Sequence, residues 1–177
     1  YDTATTRIFI HAYRTPAVAA LVWSVFYARI PYVPSDIDQP SIRTQKIFTQ
    51  VEPRLIFIDT DTAFYREQVS KMDTVVLWEK DSLMMLEVKE ISPPVHHREL
   101  ASVLFTSGTT GVPKGVMIPR ANTVAFTRWM CQTFNVNETS RILSVSPLHF
   151  DLSVFDFFAP FFSCAASARM GAYERRP

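Results

Sequence analysis

Glycine is scarce in this chain, at four residues in 177, where average usage of about 7% would give roughly twelve. Cysteine is scarcer still: Cys131 and Cys164 lie too far apart in sequence for a metal-binding or redox spacing. Two such thiols are expected to be buried side chains in a reducing compartment, which points to the cytoplasm. Excess charge is also missing. Lys and Arg number 18 against 17 Asp and Glu, a net charge of +1 without a basic block or acidic tail, which argues against nucleic-acid or membrane-surface binding. Long apolar runs are absent too. The longest, Ala17 to Ala28, is broken by Ser24 and ends at Arg29, well short of the ~20 residues that span a bilayer. The start lacks the basic-then-apolar pattern of a secretory leader. The chain opens on Tyr1 rather than Met and stops at "YERRP" without a closing element, so a fragment is expected.

What is present is apolar material: 47% hydrophobic against 20% charged residues. That suits one globular domain, or a large piece of one, with a sizeable core. "RIFIH" (Arg7 to His11) reads as a short buried strand. Thr15 and Pro16 suit the cap and first turn of a helix, along which Val18, Leu21, Val22, Val25 and Phe26 repeat at helical spacing. "PYVP" reads as extended, Ser41 opens a second amphipathic helix through Ile47 and Val51, and "RLIFID" (Arg54 to Asp59) is a second buried strand. A helix near Thr62 to Lys71 then precedes a third strand, "TVVLW". Strands recurring every ~20 residues with helices between them predict an α/β fold of right-handed βαβ units on a mostly parallel sheet.

"LMMLEV" (Leu83 to Val88) fits a strand or a turn of helix, and "ISPPVHHREL" is loop, with His96 and His97 at the surface. "ASVLFT" is a strong strand, "GVMI" another, and Ala121 to Phe134 a helix carrying Val124, Trp129, Met130 and Phe134 inward. "RILSVS" is a strand, and "DLSVFDFFAPFF" an apolar helix expected to be interrupted or kinked at Pro160.

Between the strands "ASVLFT" and "GVMI" lies "TSGTTGVPKG", which holds three of the four glycines: Gly108, Gly111 and Gly115. Glycine lets the chain turn with positive φ, and clustered backbone N–H groups make an anion-binding concavity. Thr106, Ser107, Thr109 and Thr110 add hydroxyl donors, and Lys114 adds a mobile positive charge suited to phosphate. Together they describe a polyphosphate cradle. The ordinary nucleoside-triphosphate loop, G-x-x-x-x-G-K-[ST], is not matched. Pro113 stands where its second glycine belongs, and Gly115 replaces the magnesium-binding hydroxyl. The plainer alternative is a glycine-rich hairpin with Lys114 solvated.

A second stretch, "SPLHFDLSVFDFF" (Ser146 to Phe158), places Asp151 after a strand and before an apolar helix. Asp151 is there either a helix N-cap or a partly desolvated carboxylate, beside His149 and phenylalanines, that awaits a cation such as a ligand ammonium.

"TSGTTGVPKG" resembles the phosphate-binding signature of the adenylate-forming superfamily, which includes acyl-CoA synthetases, luciferases and the amino-acid adenylation domains of nonribosomal peptide synthetases. Thr106, Ser107, Gly108, Thr109, Thr110, Gly111, Pro113, Lys114 and Gly115 all match it. The resemblance implies that this loop binds the β- and γ-phosphates of ATP and releases pyrophosphate. "FDLSV" is similar to the "FDxS" signature of the amino-acid adenylation domains, which implies that Asp151 holds the substrate's α-ammonium group. On the same resemblance Leu152 and Phe155 line the side-chain pocket, for a small or apolar amino acid. Asp156 matches nothing in it and is expected on a solvated helix face. The segment from Arg14 to Asp59 resembles the family's first helix, "YVP" turn and following βα unit, but "YARIP" lacks the glycine of the family's Lys-Ala-Gly. That departure is expected to alter a helix terminus rather than the site.

The resemblance implies a fold, the partial large N-terminal domain of an adenylate-forming enzyme, and a reaction. A substrate carboxylate attacks the α-phosphorus of Mg-ATP, and the phosphopantetheine arm of a carrier domain then takes the acyl group. Residues 1–177 would be a fragment of one AMP-binding (adenylation) domain without its C-terminal subdomain, and inactive alone. No residue of the chain is assigned as catalytic or as a metal ligand. Three alternatives stay open: an acyl-CoA or aryl-acid ligase fragment, a noncatalytic remnant, and a generic nucleotide-binding module.

Overall fold

The computed structural model describes residues 7–58, 64–65, 67, 76–79, 82–85, 100–107 and 111–169. Four short apolar segments form neighbouring strands: β1 (Ile8–His11), β2 (Tyr32–Ser35), β3 (Leu55–Ile58) and β4 (Val76–Glu79). Then follow β5 (Ser82–Met85), β6 (Leu100–Thr106) and β7 (Lys114–Pro119). Together they make one sheet in the order β5-β4-β3-β1-β2-β6-β7. The five inner strands are parallel, and β5 and β7 pair antiparallel at its edges. The predicted mostly parallel α/β sheet is therefore present. A further parallel pair, β8 (Arg141–Ser144) and β9 (Ala166–Arg169), lies outside this sheet; β9 has no counterpart in the sequence reading.

Parallel strands buried on both faces read as continuous apolar runs, and β1 shows why. Ile8 and Ile10 point into one core with Val18, Val22, Phe26 and Phe158. Phe9, between them, joins Val33, Ile47, Phe48 and Ile56 in a second core on the opposite face. The first core is covered by α1 (Pro16–Tyr27), α3 (Arg120–Thr133) and α4 (Ser153–Ser163), and the second by α2 (Ser41–Val51).

Helix α1 starts as read, with Thr15 Oγ1 accepting from the Val18 amide at 3.2 Å and Pro16 in the first turn. Just past its end Arg29 sits at φ 61, a left-handed position that favours glycine. The missing glycine of "YARIP" thus strains a helix terminus remote from the loop at the tip of β6. Helix α2 buries Thr44, Ile47, Phe48 and Val51.

Four expectations need correction. Helix α3 turns Thr123 and Thr127 inward, whereas Trp129 and Phe134 are exposed, because threonines let the helix approach its neighbours closely and bulky rings do not. Helix α4 is not interrupted at Pro160 but continues through it to Ser163. Proline there forfeits one amide donor, and burial of Val154, Phe157 and Phe158 on the same helix outweighs it. Asp156, expected on a solvated face, is buried. The two thiols are free but not buried: Cys131 is half-buried on α3, and Cys164 is exposed beyond α4. The "LMMLEV" segment is a strand over 82–85. Of the 62–71 helix, residues 64, 65 and 67 are described and helical; His96 and His97 lie outside the described residues.

At the end of β1, His11 is buried with Nδ1 3.2 Å from the Ser35 hydroxyl. Burial lowers its pKa to about 4, against opposing effects of Ser35 and the Asp36 charge. The unfolded chain binds this proton near pH 6.5 and the folded chain does not, so His11 costs stability as the pH falls from 6.5 toward 4. At about 1.4 kcal/mol per unit, the loss should approach roughly 3 kcal/mol. Denaturant melts at pH 7 and 4.5 should show that part of the pH dependence vanishing in His11→Gln.

Candidate functional site

Ligands of open parallel sheets bind beyond the carboxyl ends of the strands. Here β2 and β6 run side by side and parallel, so the chain leaves both at the same edge. From β2 it passes through Asp36 to α2; from β6 it enters the glycine-rich stretch. The connection from β8 to α4 reaches the same edge. A cleft of about 630 Å³ opens there, lined by Asp36, Asp38, Gln39, Pro40, Arg43, Thr106, Ser107, His149, Phe150 and Asp151, among others.

Two of the predicted sites therefore meet. Thr106 and Ser107, the first residues of the glycine stretch, share this cleft with Asp151, the candidate amine-binding carboxylate. Strand pairing forms the base of the stretch, with Phe105 opposite Gly115 and Thr106 opposite Lys114. The Thr106 hydroxyl also donates to the Lys114 carbonyl at 3.4 Å. Gly111 takes φ 73 with open space where a Cβ would stand, so backbone conformation rather than crowding calls for glycine. Lys114 is exposed at the start of β7. Gly108, Thr109 and Thr110 lie outside the described residues.

Asp151 is exposed, and its Oδ1 accepts from the next amide, Leu152, at 2.8 Å. It is not the N-cap of α4: that position is Leu152, with helical dihedrals and no side-chain cap bond. Leu152 is exposed, and Phe155 is half-buried with its ring 6.4 Å from that of Phe134. Neither is among the residues lining the cleft.

The structure adds residues that the sequence reading did not single out. Arg43 brings a guanidinium to the cleft, and its Nη2 donates to the Phe105 carbonyl at 2.9 Å. Among the described residues, the Nδ1 atom of His149 is buried without a hydrogen-bond partner. Burial holds its pKa below the ordinary imidazole value, with Asp36 opposing and Arg43 reinforcing the shift. Gln39 likewise has both amide heteroatoms buried without partners. These groups suit a polar ligand, since a buried donor or acceptor left unsatisfied costs about 1–3 kcal/mol. The signal for Arg43 was its place at the third position of an amphipathic helix that follows a strand end, and amphipathicity alone reads it as solvated.

Hydroxyls, a turn of left-handed backbone and cations thus gather at one strand edge. The AMP-binding enzyme family matches residues 3–175. This chain belongs to that family. Among its curated relatives, the L-proline–[L-prolyl-carrier protein] ligase of Pseudomonas fluorescens is 30% identical over 165 residues, covering 86% of this chain and 32% of the relative. The D-alanine–D-alanyl carrier protein ligase of Bacillus licheniformis is 29% identical over 159 residues, covering 88% and 31%. The chain thus spans about a third of the length of these AMP-binding enzymes. Its fold is shared with ATP-bound MatB from Rhodopseudomonas palustris, at a TM-score of 0.73 and 16% identity over 94% of this chain and 35% of that one. It is shared too with a four-domain nonribosomal peptide synthetase bound to AMP and glycine, at 0.68 and 22% over 93% and 12%. The fold is that of the N-terminal domain of adenylate-forming enzymes. Among the described residues no helix is long and apolar enough to cross a membrane.

Proposed function

We propose that this chain supplies the phosphate-binding and amine-binding parts of an enzyme that activates an amino-acid carboxylate with ATP. A carboxylate oxygen of the amino acid forms a bond to the α-phosphorus, the bond between that phosphorus and the bridging oxygen breaks, and pyrophosphate leaves with the electron pair. An aminoacyl adenylate results. Its acyl group passes to the phosphopantetheine thiol of a carrier domain, and AMP departs. Residues 1–177 are then part of one AMP-binding domain whose C-terminal subdomain lies in the rest of the enzyme.

The observation that carries this reading is the shared cleft of Thr106, Ser107 and Asp151. Thr106, Ser107, Thr109, Thr110 and Lys114 would donate hydrogen bonds or charge to the pyrophosphate, with Gly108, Gly111 and Gly115 the glycines of the same signature. The chain's task is positioning and charge neutralisation, the two largest levers in phosphoryl-type chemistry. Asp151 supplies a carboxylate for the α-ammonium group in this cleft; Leu152 and Phe155 belong to the substrate side-chain pocket by resemblance alone, since neither lines the cleft. The activities of the relatives, ligation of L-proline or D-alanine to a carrier protein, support an amino-acid substrate. No cluster of three or more metal-binding side chains occurs among the described residues. Magnesium is expected to arrive with the ATP phosphates, keeping water ligands, as is usual for that ion; it would neutralise phosphate charge.

Asp151 tests the amino-acid reading. A charge-assisted hydrogen bond is worth about 1.5–3 kcal/mol, so Asp151→Ala should raise the amino-acid KM roughly ten- to hundredfold. The KM for ATP should stay within about twofold. An unchanged amino-acid KM would move the reading to acids without an α-amine, the acyl-CoA or aryl-acid ligase alternative.

A further inference from the structure

The described residues that line the cleft come from three places in the chain. One is the end of β6. The second is the run between Ser35 and Thr44, which contributes Asp36, Gln39 and Arg43 among others. The third is the run between Ser146 and Asp156, which contributes His149 and Asp151. Polar bonds close each of these two runs near its ends. Both sets of bonds lead back to the same short segment, His11 to Arg14.

The first closure is made by hydroxyls. Ser35 Oγ donates to Thr44 Oγ1 at 3.5 Å, joining the start of the run to its end. His11 Nδ1 lies 3.2 Å from the same Ser35 oxygen. Because that hydroxyl gives its hydrogen to Thr44, the imidazole is the donor of this pair. His11, Ser35 and Thr44 are all buried, so water does not replace either bond once it is lost. The second closure is ionic. Asp156 Oδ2 accepts from the amides of Val145 and Ser146. Arg14 donates to the Ser146 carbonyl and the Ser144 hydroxyl and lies 3.4 Å from Asp156. The planar fork of a guanidinium holds such acceptors in one fixed arrangement.

The shared segment leaves β1, an interior strand whose Phe9 and Ile10 are fully buried. Its two polar side chains therefore reach the two runs from one fixed base. The runs also lie within reach of each other's charge: Asp36 and Arg43, on one, both act on the His149 imidazole on the other. We propose that His11 and Arg14 are positioning residues that tie two walls of the cleft to the end of β1 and so set the separation between them. The assignment of a substrate to each wall rests on the function proposed above; the ties do not. Among the described lining residues the one cation is Arg43, on the first wall, which suits the ATP phosphates. Asp151, on the second wall, takes the α-ammonium group. The two ties should therefore be separable by substrate.

The test uses the native polypeptide that contains this segment, with Thr44→Val, Thr44→Ser, His11→Phe and Arg14→Lys. Thr44→Val keeps the side-chain shape and loses the hydroxyl, whereas Thr44→Ser keeps the hydroxyl and loses a methyl. His11→Phe keeps a ring against Phe9 and Tyr65 and loses the donor. Hydrogen exchange is read in the ligand-free protein for peptides 36–43 and 147–155, with α3 and β3 as controls. Thr44→Val and His11→Phe should speed exchange in 36–43 about tenfold, and Thr44→Ser less than about threefold. Arg14→Lys should speed exchange in 147–155 about tenfold, with α3 and β3 at wild-type rates throughout. In ATP–pyrophosphate exchange, Thr44→Val and His11→Phe should raise the KM for Mg-ATP about fivefold and leave the amino-acid KM within about twofold. Arg14→Lys should do the reverse. A smaller folded fraction lowers the apparent kcat and leaves both KM values alone, so a stability defect does not produce this split. Unchanged exchange in both peptides, equal acceleration in α3 and β3, or Thr44→Ser as fast as Thr44→Val overturns the proposal. So do KM values that move together in either kind of variant. Should Arg14→Lys not fold, Ser144→Ala, which removes one acceptor of the guanidinium, is read in its place by the same criteria. If the peptides respond as expected while the wild-type protein exchanges no pyrophosphate with any amino acid, the ties stand and the proposed function fails.

Discussion

Asp156→Ala is expected to lower the unfolding free energy by about 3–5 kcal/mol, the range for removing one partner of a buried ion pair. The carboxylate sits inside the fold and accepts from the amides of Val145 and Ser146 at 3.1 and 3.0 Å. Arg14 Nη2 lies 3.4 Å from the same oxygen. Arg14 in turn donates to the Ser146 carbonyl and the Ser144 hydroxyl. Alanine would take the acceptor from two partly buried amides and remove a carboxylate from beside the Arg14 guanidinium. Native domains are stable by only about 5–15 kcal/mol in all, so this one change threatens the fold. Asp156→Asn retains one acceptor and should cost less, about 1–2 kcal/mol. Chemical denaturation measures both, and a cycle with Arg14→Ala should show coupling, because the two groups share partners. The network ties the loop after β1 to the connection that carries His149 and Asp151, so the Asn variant should also loosen the cleft.

The second large effect is on rate. Lys114→Ala is expected to lower the rate of adenylate formation by about 10²–10³, the loss seen when one preorganised group facing developing charge is removed. Lys114 is exposed and lies opposite Thr106 at the mouth of the β6–β7 hairpin, which places its charge beside the Thr106 hydroxyl. An exposed side chain without buried contacts contributes little to folding, within about 0.5 kcal/mol. The prediction therefore separates cleanly: a large loss of pyrophosphate exchange with an unchanged denaturation midpoint. Lys114→Arg should retain part of the rate, since a second cation reaches the phosphate with different geometry. A rate within threefold of wild type in Lys114→Ala would return the loop to the plain hairpin reading.

Much of the fold was legible because it rests on local signals. The runs at Ile8, Leu55 and Leu100 are buried on both faces, the Thr15–Pro16 pair opens α1, and the glycines gather in one loop. What escaped depends on distant partners. Asp156 reads as solvated beside its sequence neighbours, and its counter-charge lies 142 residues away. Arg43 reads as an ordinary helix-surface cation, and its carbonyl acceptor is 62 residues on. Hydrophobicity places Trp129 and Phe134 inward, but Thr123 and Thr127 face the core, a choice set by how closely α3 approaches its neighbours. Strand β9, "ASAR", carries no apolar pattern and exists through its pairing with β8. In the site, the motifs marked Thr106, Ser107 and Asp151, while the topology of β2 beside β6 supplied Asp36, Gln39 and Arg43.

The most direct test of the account is ATP–pyrophosphate exchange by the native polypeptide that carries this segment, with a panel of amino acids and of matching acids that lack the α-amine. The account predicts incorporation of labelled pyrophosphate into ATP that depends on an amino acid and is not supported by its deaminated analogue. Equal exchange with both, or none with any amino acid, would contradict it.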